Sequence, residues 1–83
     1  MELAKGNSRK VMKDALKKSG ILQSELAEKL QITQASISGN MNRTKMGIDV
    51  FIRMINAMGY SVVVGENKED GFEPLWELEN SDE

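Results

Sequence analysis

Neither cysteine nor histidine occurs anywhere in this chain. The first absence excludes a disulfide framework and thiolate metal sites. The second removes the commonest general base, and together they exclude the usual zinc sites, so neither metal nor cofactor is expected. A catalyst would have to assemble Asp, Glu, Lys, Ser or Tyr groups in a pocket. Nothing in the sequence arranges such a set, and a core this thin leaves little room for one. No catalytic residue is therefore assigned, and an enzyme is not expected. No apolar run approaches the length of a membrane span, and the N-terminus lacks the apolar stretch of a signal peptide. A cytoplasmic protein with no membrane partner is the expectation. At 83 residues the chain makes one folding unit near the lower size limit, where pairing with a second copy often supplies missing burial.

Charge of one sign is scarce in each part of the chain. The net charge is −2, but residues 1–60 carry ten Lys or Arg against five acids, which leaves +5. Residues 61–83 carry Lys68 against eight acids, which leaves −7. A basic body with an acidic tail permits a nucleic-acid partner that the overall balance would argue against.

Helix signals run through the basic part. Asn7 or Ser8 can cap a first helix through about Ser19, with Val11, Met12, Ala15 and Leu16 on one face and Gly20 as the stop. A second helix is predicted from Gln23 to Leu30, with Leu26, Ala27 and Leu30 facing inward. A third starts behind Thr33, a natural N-cap, and reaches Met41, with Ile37 and Met41 on its inner side. Asn42 to Gly47 reads as a basic loop. A fourth helix spans Ile48 to Met58 on the period Ile48, Phe51, Ile52, Ile55, Met58, and Gly59 ends it.

The period then changes. Tyr60–Gly65 favours a strand, and "GENKEDG" reads as a loop bounded by Gly65 and Gly71. "FEPLWELE" alternates, with Phe72, Trp76 and Leu78 on one side and Glu73, Glu77 and Glu79 on the other. Pro74 confines any strand there to an edge. A lone strand cannot satisfy its own backbone, so it must pair with this segment, with another subunit, or with both. An intermolecular ribbon built from Tyr60, Val62, Val63, Val64 and Trp76 is the preferred expectation. The predicted organisation is mainly α: a four-helix body at 1–59, a strand or hairpin at 60–79 that pairs across a dimer, and a disordered tail at 80–83.

One stretch stands out. "QITQASISGN", Gln31 to Asn40, holds no charge in a chain that is 29% charged. On its own a Gln/Ser face is more often an open solvent face than a reading surface. Its setting changes that. "QSELAEKLQITQASISGNMNR" resembles the helix-turn-helix of the Xre/Cro phage-repressor family. Leu26, Leu30, Ile32 and Ile37 match the family's buried positions, and Ala27 matches the small residue where the two helices cross. The resemblance covers roughly Ser8 to Gly59. It implies that the third helix enters a major groove of double-stranded DNA. Gln34 becomes the leading base contact, because Gln can bond adenine N6 and N7. Ala35, Ser36 and Ser38 would be further base contacts. Gln23, at the start of the second helix, matches a family glutamine that binds phosphate and braces the reading glutamine. Ser24, Thr33, Asn42, Arg43 and Lys45 would hold phosphates, which position a protein without reading sequence. Three positions depart from the pattern. Leu22 replaces a capping Thr or Ser, Gln31 replaces the turn Gly, and Asn40 stands where a hydrophobic residue is common, with Met41 available to take over its packing.

The strand and the Trp-bearing tail extend the resemblance loosely to HipB-type antitoxins, small dimeric repressors that bind a kinase toxin. That implies a homodimer of bacterial, phage or mobile-element origin, a pseudo-palindromic operator and a cognate toxin protein. A repressor without a toxin fits equally. A reading of another class is a protein-interaction module that uses the acidic tail, with the helices as scaffold.

Overall fold

The computed structural model describes residues 3–42 and 46–79. The order is α1 (Ser8–Ser19), α2 (Gln23–Leu30), α3 (Gln34–Met41), α4 (Ile48–Ala57), β1 (Val62–Lys68) and β2 (Gly71–Leu78). Helices followed by an antiparallel hairpin are the coarse architecture the sequence predicts. The expected tail at 80–83 lies outside the described residues.

Local chemistry sets the helix ends. Asn7 accepts the Lys10 backbone N–H at 2.8 Å and so caps α1. Gly20 closes α1 at φ 75, with its N–H on the Leu16 carbonyl. Thr33 caps α3 by accepting the Ser36 N–H at 3.1 Å. After α4, Gly59 turns the chain at φ 89, which glycine adopts without steric cost. The Asn56 side-chain amide then donates to the Tyr60 carbonyl at 2.9 Å and fixes the exit toward the hairpin.

The core joins all four helices. Met12, Leu26, Ala27, Ile37, Met41, Met54, Ile55 and Met58 form one buried cluster. Four of these eight are methionines, which suit an irregular space between short helices. Met12, Leu26 and Ile37 are fully buried, and Met54, absent from the predicted period of α4, is 1% exposed. Some predicted inward residues are elsewhere. Ile48 is 60% exposed and Ile32 38%, because the first turn of α4 and the turn after α2 both sit at the rim. Val11 is also exposed, at the edge of a groove between α1 and α4.

Of the pairings left open for the strand, the one with the Phe72–Glu79 segment is formed. β1 pairs antiparallel with β2 inside the chain, from Val62 opposite Leu78 to Lys68 opposite Gly71. The predicted loop is therefore mostly strand, and the connection shrinks to Glu69–Asp70. Val64 pairs with Trp76 and Gly65 with Pro74, so Leu75 is an extra residue in β2. That bulge breaks the predicted alternation. Phe72, opposite Asn67, falls on the other face from Trp76, while Glu73, opposite Glu66, joins the Trp76 face. Gly65 is required at the bulge: a Cβ there would run into the Glu73 backbone and the Phe72 ring. An ion pair between Lys68 and Glu73 ties the strands near the tip.

Candidate nucleic-acid interface

α3 is a helix its sequence favours weakly. Ser, Gly and Asn are poor formers, and only Ile37 and Met41 are large and apolar. Packing makes up the deficit. Ile37 is fully buried and Met41 is 4% exposed, both against the core that Leu26 and Ala27 of α2 share. Burying a side chain such as Ile37 contributes about 1.5–3 kcal/mol. The helix is thus held from behind, and its front is left to other duties.

The turn between α2 and α3 is tight. Gln31 adopts φ 58, ψ 42 and is the one non-glycine residue at positive φ among the described residues. The Ile32 N–H reaches the Ala27 carbonyl at 3.0 Å and closes the end of α2. A side chain in the left-handed region costs about 1 kcal/mol relative to glycine. The other departure, Leu22, precedes α2 and has no side-chain acceptor to offer the first turn. Glu25 compensates from inside the helix by accepting the Leu22 N–H at 3.0 Å.

On the front of α3, Gln34, Ala35, Ser36 and Gly39 are exposed. Gly39 has no structural reason to be glycine: its φ is helical, and a Cβ would meet nothing within 4 Å. The base-contact residues predicted at 34, 35 and 36 are thus all exposed, in the first turn of α3. Ser38 is different. It is half-buried, and its hydroxyl donates to Gln23 Oε1 at 2.9 Å, bridging α3 to the start of α2. Gln23 therefore braces Ser38, where the resemblance implied that it braces Gln34. Its Nε2 remains a donor for an acceptor outside.

The predicted phosphate contacts divide. Ser24 is exposed at the start of α2. Thr33 Oγ1 caps α3 and lies 3.0 Å from Ser36 Oγ, so its hydroxyl serves the helix end first. Asn42 is the residue after α3, and its Nδ2 donates to the Ser38 carbonyl at 2.9 Å. Arg43 and Lys45 lie outside the described residues. Two residues that sequence reading did not assign to this surface lie beside it. Lys13 and Lys17 of α1 line the same groove, about 600 Å³, as Gln23, Ser38 and Asn42. Their spacing of one turn was visible in the sequence. That they face α3 follows from the packing of α1 on α3, which local pattern does not reveal.

The residues predicted for dimerisation also divide. Tyr60 and Val62 pack on the chain's own core. Val63, Val64 and Trp76 are 43%, 46% and 65% exposed, and the bulged Leu75, not predicted, joins them at 43%. No helix among the described residues is long and apolar enough to cross a membrane, and no group of acidic side chains there could hold a metal ion.

No protein-family model, no curated protein and no solved structure matches this chain.

Proposed function

We propose that the chain is a sequence-specific double-stranded DNA-binding regulator, a dimeric repressor acting at a pseudo-palindromic operator. The observation that carries this reading is the front of α3. Gln34, Ala35 and Ser36 stand exposed and uncharged on a helix anchored from behind by Ile37 and Met41. Such side chains permit close approach and can bond base edges: Gln to adenine, Ser to several bases, Ala to a thymine methyl. A net charge of +5 over residues 1–60 supplies the attraction to phosphate that any duplex binding needs. The resemblance of residues 8–59 to the Xre/Cro helix-turn-helix family points the same way.

The dimer rests on the hairpin. A two-stranded hairpin is marginal alone. This one leaves Val63, Val64, Leu75 and Trp76 in water. β1 has no proline, so its free edge is the better acceptor of a strand from a second copy; Pro74 weakens the edge of β2. The two reading helices then meet half-sites about 34 Å apart. Selection from a random duplex pool tests the whole reading. An inverted repeat with half-sites one helical turn apart is expected. A pool that stays random after selection sinks it.

The second reading, a protein-interaction module, is favoured by one feature: Trp76 is 65% exposed among acidic neighbours. An antitoxin would use both surfaces, with the hairpin docked on a basic toxin. Salt separates the two classes. Binding to nonspecific duplex falls steeply with salt if α3 works on DNA. Absent or salt-independent binding favours the interaction module.

A further inference from the structure

α1 carries five basic side chains, and they do not share one face. Lys10 is engaged by Asp14 at 2.7 Å. Lys18 lines the groove between α1 and α4, with Lys5, away from α3. Lys13 and Lys17 open instead into the groove that ends at Gln23, Ser38 and Asn42. Among the described residues no acidic side chain lines that groove, so nothing within it neutralises the two ammonium groups.

We propose that Lys13 and Lys17 form a phosphate clamp on the α1 side of the reading helix, gripping the DNA strand that runs past the Gln23–Ser38 bridge. The proposal rests on the DNA-binding reading and deepens it. Three features support phosphate as the occupant. The two lysines are four residues apart, so their Cβ atoms lie about 5–6 Å apart on one helix face. Lysine is a flexible point charge that meets a phosphate without needing fixed geometry. The groove also runs directly into the residues that flank the exposed face of α3, so a duplex seated on Gln34, Ala35 and Ser36 brings its backbone to the groove. Contacts of this kind fix register and carry no base preference.

The test uses the full chain and a random-sequence duplex, with affinity measured across a salt series for three proteins. These are the wild type, the Lys13→Gln/Lys17→Gln variant and the Lys5→Gln/Lys18→Gln variant. Both variants lose the same charge, and circular dichroism checks that both stay folded. Each phosphate contact contributes about 0.9 to the slope of log affinity against log salt. The first variant is expected to lose about 1.8 from the slope, so that between 50 and 200 mM salt it weakens about twelve-fold less than the wild type. The second variant keeps most of the slope. An unchanged slope in the first variant overturns the clamp and leaves the DNA reading standing. Equal loss in both variants also overturns it, because overall charge would then account for the effect. A wild-type protein that binds no duplex at any salt overturns the DNA reading and the clamp with it.

Discussion

The helical body and the hairpin are built on opposite plans. The body gathers a buried core, with Met12, Leu26 and Ile37 fully buried while Val11, Leu22, Ile32 and Ile48 stay exposed at its rim, and carries an excess of positive charge. The hairpin turns Val63, Val64, Leu75 and Trp76 outward and is strongly acidic. One part buries its own core; the other is packed on that core only at its root, through Tyr60 and Val62. The two parts also differ in charge, with +5 over residues 1–60 and −7 over residues 61–83.

The largest expected effect lies in the body. Leu26→Ala should cost about 2–5 kcal/mol, since the fully buried side chain sits where α2 and α3 meet. That is a large part of the total stability of a domain of this size. Urea unfolding followed by helical circular dichroism measures it. A loss below about 1 kcal/mol would mean that the body is not the self-sufficient half.

Next comes the hairpin. Gly65→Ala forces a methyl group into the Glu73 backbone and Phe72 ring, and should cost the hairpin about 1–3 kcal/mol. The single tryptophan, Trp76, reports on the hairpin while circular dichroism reports on the helices. The variant should keep its helical signal and change its tryptophan emission, and the proposed dimer should be lost in sedimentation. Parallel loss of both signals would show one cooperative unit and erase the contrast.

Two smaller changes sharpen the picture within the body. Gln31→Gly relieves the left-handed turn and should add about 1 kcal/mol, read as a melting temperature about 4–8 °C higher. Gly39→Ala should add about 0.5–1 kcal/mol as well, because mid-helix glycine is costly and the space is open. Here stability and function should part: the added methyl group stands on the exposed face of α3 and should weaken duplex binding several-fold. Equal binding by Gly39→Ala would mean that no partner comes close there.

Much of the body was legible because helix ends are local. Asn7, Gly20, Thr33 and Gly59 act on their own turns, so the predicted boundaries agree with those observed to within a residue or so. The hairpin was legible only where β-branched residues ran together. Glu66, Asn67 and Lys68 have little strand preference of their own and are extended because β2 pairs with them. The extra residue at Leu75 left no mark in the alternation, so the faces of Phe72 and Glu73 came out wrong. At the candidate interface, the residue types of α3 and their exposure were readable from the uncharged stretch. The Gln23–Ser38 bridge and the orientation of Lys13 and Lys17 were not. Both depend on how separate helices dock.

The claim on which the functional account depends is that the front of α3 reads bases. The most direct measurement compares Gln34→Ala with the wild type on two duplexes, the site selected from a random pool and an unrelated sequence. The account predicts a loss of about 1–3 kcal/mol, roughly 5- to 150-fold, on the selected site, and almost no change on the other. Equal losses on both duplexes, or none on either, would contradict it.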